Sequence, residues 1–180
     1  MDISQFTLSR ITENYPLLPF YCGDNDLNDF LLNDSRRYYQ QLLAVTYLLE
    51  TPEHTAAFFS VLNDKISIED VDSKNKWRKY FRDIMPEGKR FRSYPAVKIG
   101  RLGVSNNFKS QGIGTIILDY LKEFFVTNNR TGCRYLTVDA YRNSLSFYEK
   151  NGFKYLTEKD KESDTRLMYF DLTAIKQPKS

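Results

Sequence analysis

The feature that most constrains this chain is a strand, a glycine-bearing loop, a long amphipathic helix and a second strand, in that order, between residues 96 and 138. Residues 96–104 (AVKIGRLGV) read as a strand with Gly103 inside it. A glycine there predicts a bulge or the close approach of another backbone. Residues 105–114 form a loop. Residues 115–128 (TIILDYLKEFFVTN) put Ile116, Ile117, Tyr120, Leu121, Phe124 and Phe125 at i, i+3, i+4 spacing, which predicts a helix with one apolar face. Gly132 breaks the pattern, and residues 135–138 (YLTV) read as a buried strand. Strand, helix and strand in this order need a crossover, so the two strands pair in parallel.

The flanking segments add antiparallel strands. Residues 6–11 alternate as an edge strand does. Asp24 or Asn25 caps a helix starting near Asp26, with Leu27, Phe30, Leu31 and Tyr38 on one face and Arg36 and Arg37 on the polar side. Residues 44–50 and 55–62 read as strands joined by a short connection at Pro52. Residues 144–150 form a short helix stopped at Asn151 and Gly152, and residues 153–156 and 165–172 close the fold as an antiparallel pair. The expected architecture is α/β, a twisted mixed sheet with helices on both faces. The 180 residues fit one domain.

Residues 64–93 differ in character and read as a basic insertion. Lys74, Lys76, Arg78, Lys79, Arg82, Lys89, Arg90 and Arg92 are interleaved with Trp77, Tyr80, Phe81 and Phe91. Residues 75–84 suit a short helix with Trp77, Tyr80, Phe81 and Ile84 on one face, ended by Pro86 and Gly88. Such interleaving can hold single-stranded RNA by charge and stacking. It can equally be a solvated insertion whose aromatics cover the sheet. The net charge of +3 is modest for an RNA binder.

Composition excludes several classes of chemistry. Two cysteines, Cys22 and Cys133, lie far apart in sequence and predict free thiols rather than a disulfide framework or zinc site. A single histidine, His54, leaves too few ligands for a His-based metal site. No stretch approaches the roughly 20 apolar residues of a membrane span. The start of the chain carries no apolar core of signal-peptide length, so a cytoplasmic location is expected.

The loop Lys109 to Gly114, K-S-Q-G-I-G, carries the chemistry. Its glycines permit unusual backbone angles and close approach of a ligand. The unsatisfied N–H groups of the following helix turn make an anion site suited to phosphates. No Lys-Ser/Thr follows Gly114, so the loop is not a Walker motif, and Ile117 breaks the dinucleotide fingerprint. A diphosphate-bearing ligand is the natural guest.

Downstream stands S-L-S-F-Y-E-K-N-G-F, residues 144–153. With it, the run IGRLGVSNNFKSQGIGTIILDYL resembles the coenzyme A-binding core of GNAT acetyltransferases, and VDAYRNSLSFYEKNGFKYL resembles the strand and helix that complete their acyl-CoA cleft. The resemblance implies the GNAT acyl-CoA N-acyltransferase fold, a central twisted mixed sheet flanked by helices. It implies acetyl-CoA as acyl donor, with no metal, and direct transfer to a primary amine, either a small-molecule or a protein acceptor. Leu102, Gly103 and Val104 are implied to offer backbone groups to the pantetheine arm. Lys109, Ser110, Gln111, Gly112, Ile113, Gly114 and Thr115 are implied to bind the pyrophosphate. Tyr148 matches the tyrosine near the thioester sulfur, often the general acid for the leaving thiolate. Lys109 stands where the family prefers Arg or Gln, and Tyr141 where it often has Asn, with Asn143 as the substitute coenzyme contact. No motif marks a general base; Asp139 and Glu50 are the carboxylates to consider, Asp139 more as a strand-end group.

The first half resembles a GNAT subgroup that contains toxins acetylating aminoacyl-tRNA. The shared pattern is C-G-x(3)-L-N, here Cys22, Gly23, Leu27 and Asn28, with Tyr94-Pro95 leading into the coenzyme strand. That resemblance implies charged tRNA as the alternative acceptor. A third reading is an acyl-CoA-binding module without turnover, against which Tyr148 and the intact Gly112-Ile113-Gly114 run stand. A homodimer is compatible with the sequence, but no residue specifies it.

Overall fold

The computed structural model describes residues 6–81, 91–127 and 131–176. Its strands are β1 (Thr7–Arg10), β2 (Val45–Glu50), β3 (Thr55–Ser67), β4 (Ser93–Val104), β5 (Tyr135–Tyr141), β6 (Lys154–Tyr155) and β7 (Thr165–Asp171). They form one seven-stranded mixed sheet in the order β1-β2-β3-β4-β5-β7-β6. The helices are α1 (Asn25–Asp29), α2 (Ser35–Gln40), α3 (Lys74–Phe81), α4 (Ile113–Thr127), α5 (Leu145–Lys150) and α6 (Thr173–Lys176). The chain contacts group into two compact units, residues 1–62 with 99–121, and residues 63–98 with 122–180.

The first unit holds the early antiparallel strands. β1 pairs with β2 from Thr7↔Glu50 to Arg10↔Tyr47, and β2 with β3 from Val45↔Val61 to Glu50↔Thr55. β1 is the edge strand that the alternation predicts. Asp24 is the N-cap of α1, its carboxylate accepting the Leu27 N–H at 3.1 Å. A π-helical segment, Phe30–Asp34, joins α1 to α2. Phe30 and Leu31 are buried, with Leu27 and Tyr38 packed against the same cluster, as the apolar face requires. Phe58 is the centre of that cluster, edge-on to Phe20 at 5.3 Å and stacked on Phe30 at 6.0 Å.

The second unit carries the parallel pair. Ala96↔Tyr135, Val97↔Leu136 and Lys98↔Thr137 run parallel, as the crossover demands. β7 lies antiparallel to β5 from Tyr135↔Asp171 to Tyr141↔Thr165, and β6 to β7 at Lys154↔Tyr169 and Tyr155↔Met168. Several elements exceed their sequence-based bounds. β3 continues to Ser67, into the stretch read as insertion, and β5 continues past residue 138 to Tyr141. Gly152 ends α5 at φ 83°, the left-handed stop expected there.

The aromatics of α3 settle one open question of the sequence. Trp77 and Phe81 are 6% and 7% exposed and join Ile66, Val71, Tyr94, Ala96, Tyr135 and Leu156 in a core cluster. Tyr94 stacks on Phe81 at 5.0 Å and on Trp77 at 5.6 Å. A ring buried this way is unavailable to stack on a base. Tyr80 is 42% exposed, so the helix covers the sheet with one face only; Phe91, just before β4, is 47% exposed. Arg82, Ile84, Pro86, Gly88, Lys89 and Arg90 lie outside the described residues.

Candidate functional site

The coenzyme-loop residues lie in the first unit. Leu102, Gly103 and Val104 end β4. Gly103 is required by side-chain packing rather than by a bulge or a neighbouring backbone: a Cβ there would meet the Phe58 ring at 2.7 Å and Phe20 at 3.3 Å. Gly100 is similar, with Leu62 at 2.8 Å. The loop then turns through a 3-10 segment, Asn106–Phe108. The Phe108 N–H donates to Ser105 O at 2.9 Å and the Gln111 amide donates to Asn107 O at 3.2 Å.

Ser110 and Gly112 both take left-handed backbone, at φ 61° and 80°. Ser110 carries this without glycine's freedom, so the loop stores some strain. A Cβ on Gly112 would have nothing within 4 Å, so Gly112 stands open. α4 begins at Ile113, two residues before the periodicity indicates, because Ile113 is 1% exposed and anchors the first turn from beneath. The Ile116 N–H reaches Gly112 O at 3.1 Å. The N–H groups of Ile113, Gly114 and Thr115 therefore have no carbonyl one turn back to accept them. A 15-residue helix also presents a partial positive charge at this end. Lys109 adds a full charge: it is exposed, with Nζ donating to Cys22 O at 2.6 Å.

Tyr148 and Asn143 lie in the second unit. Tyr148 is on α5 and 7% exposed, its ring edge-on to Phe147 at 5.1 Å and to Phe153 at 5.4 Å. Burial pushes its phenol up to about 12. Such a group holds its proton throughout the neutral range, so it can donate but not act as a base there. Asn143 is exposed on the turn Arg142–Ser144, its amide oxygen accepting from Ser144 at 3.1 Å.

The two carboxylates considered as bases sit differently. Asp139 is ion-paired to Lys98 at 2.8 Å. Lys98 also lies 3.9 Å from Asp64, which accepts from the buried Thr137 hydroxyl at 2.5 Å. Burial is the largest influence and opposes the Lys98 charge, but the bond to Asp139 and the charges of Asp139, Asp64 and Asp70 together outweigh it and hold the ammonium above its ordinary value. Asp64 lies on β3, Lys98 on β4 and Thr137 and Asp139 on β5, and sequence reasoning missed the group. Glu50 is 6% exposed; Tyr15 donates to its Oε2, and its Oε1 is buried with no hydrogen-bond partner among the described residues.

Both cysteines are free. Cys22 is buried and Cys133 partly so, and burial raises the Cys133 thiol to about 11. Among the described residues no group of three or more His, Cys, Asp or Glu could hold a metal, and no helix is long and apolar enough to cross a membrane.

Residues 84–171 match the family model of the acetyltransferase (GNAT) domain. Sequence comparison with curated proteins finds no match. Among solved structures, a tyrosine-to-phenylalanine mutant of KacT is similar at a TM-score of 0.77 and 20% identity, over 96% of this chain and 98% of that one. AtaT complexed with acetyl-methionyl-tRNAfMet gives 0.75 and 22%, over 95% and 97%. AtaTR bound with AcCoA gives 0.73 and 22%, over 96% and 97%. At such identities the likeness to these structures is one of fold. Strand order, crossover and the solved structures agree on the GNAT fold, and residues 84–171 match its acetyltransferase domain model.

Proposed function

We propose that this protein is an N-acetyltransferase moving the acetyl group of acetyl-CoA to a primary amine by direct attack. The observation that carries the reading is the Lys109–Thr115 turn. Two left-handed residues, one of them the open Gly112, and the first-turn N–H groups of α4 come together under a lysine charge. Diphosphate is the anion such a turn suits, through Lys109, Ser110, Gln111, Gly112, Ile113, Gly114 and Thr115. Leu102, Gly103 and Val104 would offer main-chain groups to the pantetheine arm, and Asn143 a side-chain contact.

The reaction needs one bond made and one broken. The neutral amine's lone pair attacks the thioester carbonyl carbon, and the C–S bonding pair leaves with sulfur. Tyr148 gives its proton to the departing thiolate. The phenolate is restored by the proton that the new amide nitrogen sheds, relayed through water. Net products are the amide and the free thiol of coenzyme A. A phenol raised to about 12 suits the donor role because its proton is present at every physiological pH.

The test is calorimetric titration of acetyl-CoA into the native protein and Gly112→Glu. The native protein should bind. The variant should lose at least about tenfold in affinity, because its carboxylate faces the diphosphate. Equal binding by both proteins would refute the assignment of the turn.

For the acceptor, the amino group of a charged tRNA is the reading favoured by the similarity to AtaT complexed with acetyl-methionyl-tRNAfMet, which spans nearly the full length of both chains. Lys74, Arg78 and Lys79 are exposed on α3 and offer charge for phosphates. Incubation with charged tRNA and labelled acetyl-CoA should give acetylated aminoacyl-tRNA. If label reaches only free amines or proteins, the acceptor is one of those instead.

A further inference from the structure

The C-G-x(3)-L-N run has no task in the chemistry above, yet its geometry supplies one. Cys22 is 4% exposed. Its N–H donates to Asn28 Oδ1 at 2.9 Å, and its thiol donates to the same oxygen at 3.3 Å. The thiol also reaches Asp24 O at 3.7 Å. Burial pushes the Cys22 thiol up, so it stays a neutral donor. One amide oxygen thus fixes both the main chain and the side chain of Cys22.

The opposite edge of that residue meets the loop. The Cys22 carbonyl accepts from Lys109 Nζ at 2.6 Å. Tyr21 O accepts the Asn106 N–H at 2.9 Å. Gly23 follows at φ 80°, where a Cβ would sit 3.5 Å from the Asn106 side chain and 3.7 Å from Lys109 Nζ. All of these residues belong to the first unit. A lysine ammonium has three donors, so the Cys22 carbonyl leaves two for an anion. An exposed lysine is otherwise a mobile point charge. Here one carbonyl holds it at the opening of the K-S-Q-G-I-G turn.

We propose that Asn28 is a positioning residue for the acyl donor: it sets the Cys22 carbonyl that aims the Lys109 ammonium at the donor's diphosphate. The proposal rests on the acetyl-CoA reading above. Alanine at position 28 removes one acceptor from two donors, frees the Cys22 peptide to rotate and releases the Lys109 charge.

Two measurements on the full chain test it. The first needs no coenzyme: the rate at which Lys109 reacts with acetic anhydride, read by peptide mass spectrometry. Lys109 should label several-fold more slowly than the exposed Lys74 and Lys79 in the native protein, and Asn28→Ala should abolish the difference. Asn28→Asp, which keeps an acceptor oxygen, should restore it. The second is titration with acetyl-CoA and with acetyl-pantetheine, which lacks the diphosphate. Asn28→Ala and Lys109→Met should each weaken acetyl-CoA binding by about five- to tenfold. The double variant should be no weaker than Lys109→Met alone, because both remove one interaction. Acetyl-pantetheine should bind all of them equally.

Fast Lys109 labelling in the native protein would overturn the brace without any variant. Additive losses in the double variant, or equal losses on acetyl-pantetheine, would overturn the link to the diphosphate. Failure of the native protein to bind acetyl-CoA would overturn the donor reading and the role built on it, while slow Lys109 labelling would show that the brace itself exists.

Discussion

The turn that opens α4 and the tyrosine on α5 do their work in opposite ways. Residues 109–115 act mostly through main chain. They are mostly exposed, and a side chain at Gly112 would meet no neighbour, though its φ of 80° strains any residue but glycine. Tyr148 acts through a side chain that is also core, wedged between Phe147 and Phe153. In the turn, function and stability are joined only through the backbone cost of the left-handed positions. At Tyr148 they are joined, and only a substitution that keeps the ring can separate them.

The largest expected effect sharpens that contrast. Tyr148→Phe keeps the ring contacts and deletes only the hydroxyl. The rate of coenzyme A release should fall by roughly 10²- to 10⁴-fold, the range of a lost general acid, while the melting temperature hardly moves. Tyr148→Ala should add an unfolding cost of about 3–5 kcal/mol from the emptied ring site, measured by urea titration. If the phenylalanine variant unfolds as easily as the alanine one, the hydroxyl carries structure and the contrast breaks. The same burial makes a pH prediction. Tyr148 is raised to about 12, and Tyr94, Tyr120, Tyr135 and Tyr169 are also raised, all chiefly by burial. The unfolded chain gives up these protons near the ordinary value of about 10, before the folded chain does. Their contribution to stability is therefore complete below about pH 10 and lost as pH rises toward the folded values. Denaturant midpoints between pH 9 and 12 should fall accordingly.

Next in size is Trp77→Ala. Its ring lies 4.2 Å from Phe81 and stacks on Tyr94, so removal should cost about 3–5 kcal/mol in urea titration. Acetyl-CoA affinity of the folded fraction should be unchanged, since none of the residues assigned to the coenzyme lies on α3. A selective loss of coenzyme affinity without loss of stability would reverse the assignment of this helix to the core.

How much of this was legible from sequence differs between the same regions. The turn was readable because its signal is local: glycine spacing, a following periodic helix and an apolar Ile113 are contiguous in the chain. The start of α4 was misplaced by two residues because Ile113 sits next to two glycines that read as loop. The parallel pair at residues 96–98 and 135–137 followed from connection rules alone. The fate of Trp77 was not legible. Its burial depends on Tyr94, Tyr135 and Ile66, each supplied by a different strand, and a charged helix with aromatics reads alike whether its rings face a sheet or a ligand. Gly103 read as a bulge or a backbone contact, but the neighbour that requires it is a side chain, Phe58, 45 residues upstream, which only the folded packing reveals. The Asn28 to Cys22 to Lys109 link joins residues 87 apart and was invisible as anything but a motif.

The smallest expected effect concerns the outer face of α3. Its inner face is spent on the core, so any role in RNA binding rests on charge alone. Lys76 is taken by Asp72, which Lys76, Thr157 and the Glu158 N–H together hold well below the usual carboxylate range. Lys74, Arg78 and Lys79 remain exposed. Replacing these three by alanine should leave stability within about 1 kcal/mol, as surface changes do. Affinity for charged tRNA should fall by about tenfold at low salt, and the slope of log K against log salt should shrink by about 2, the release expected for three lost phosphate contacts. Turnover with a small amine acceptor should not change. A loss that persists at high salt would require stacking as well as charge, and Tyr80 and Phe91 are the rings still exposed enough to supply it.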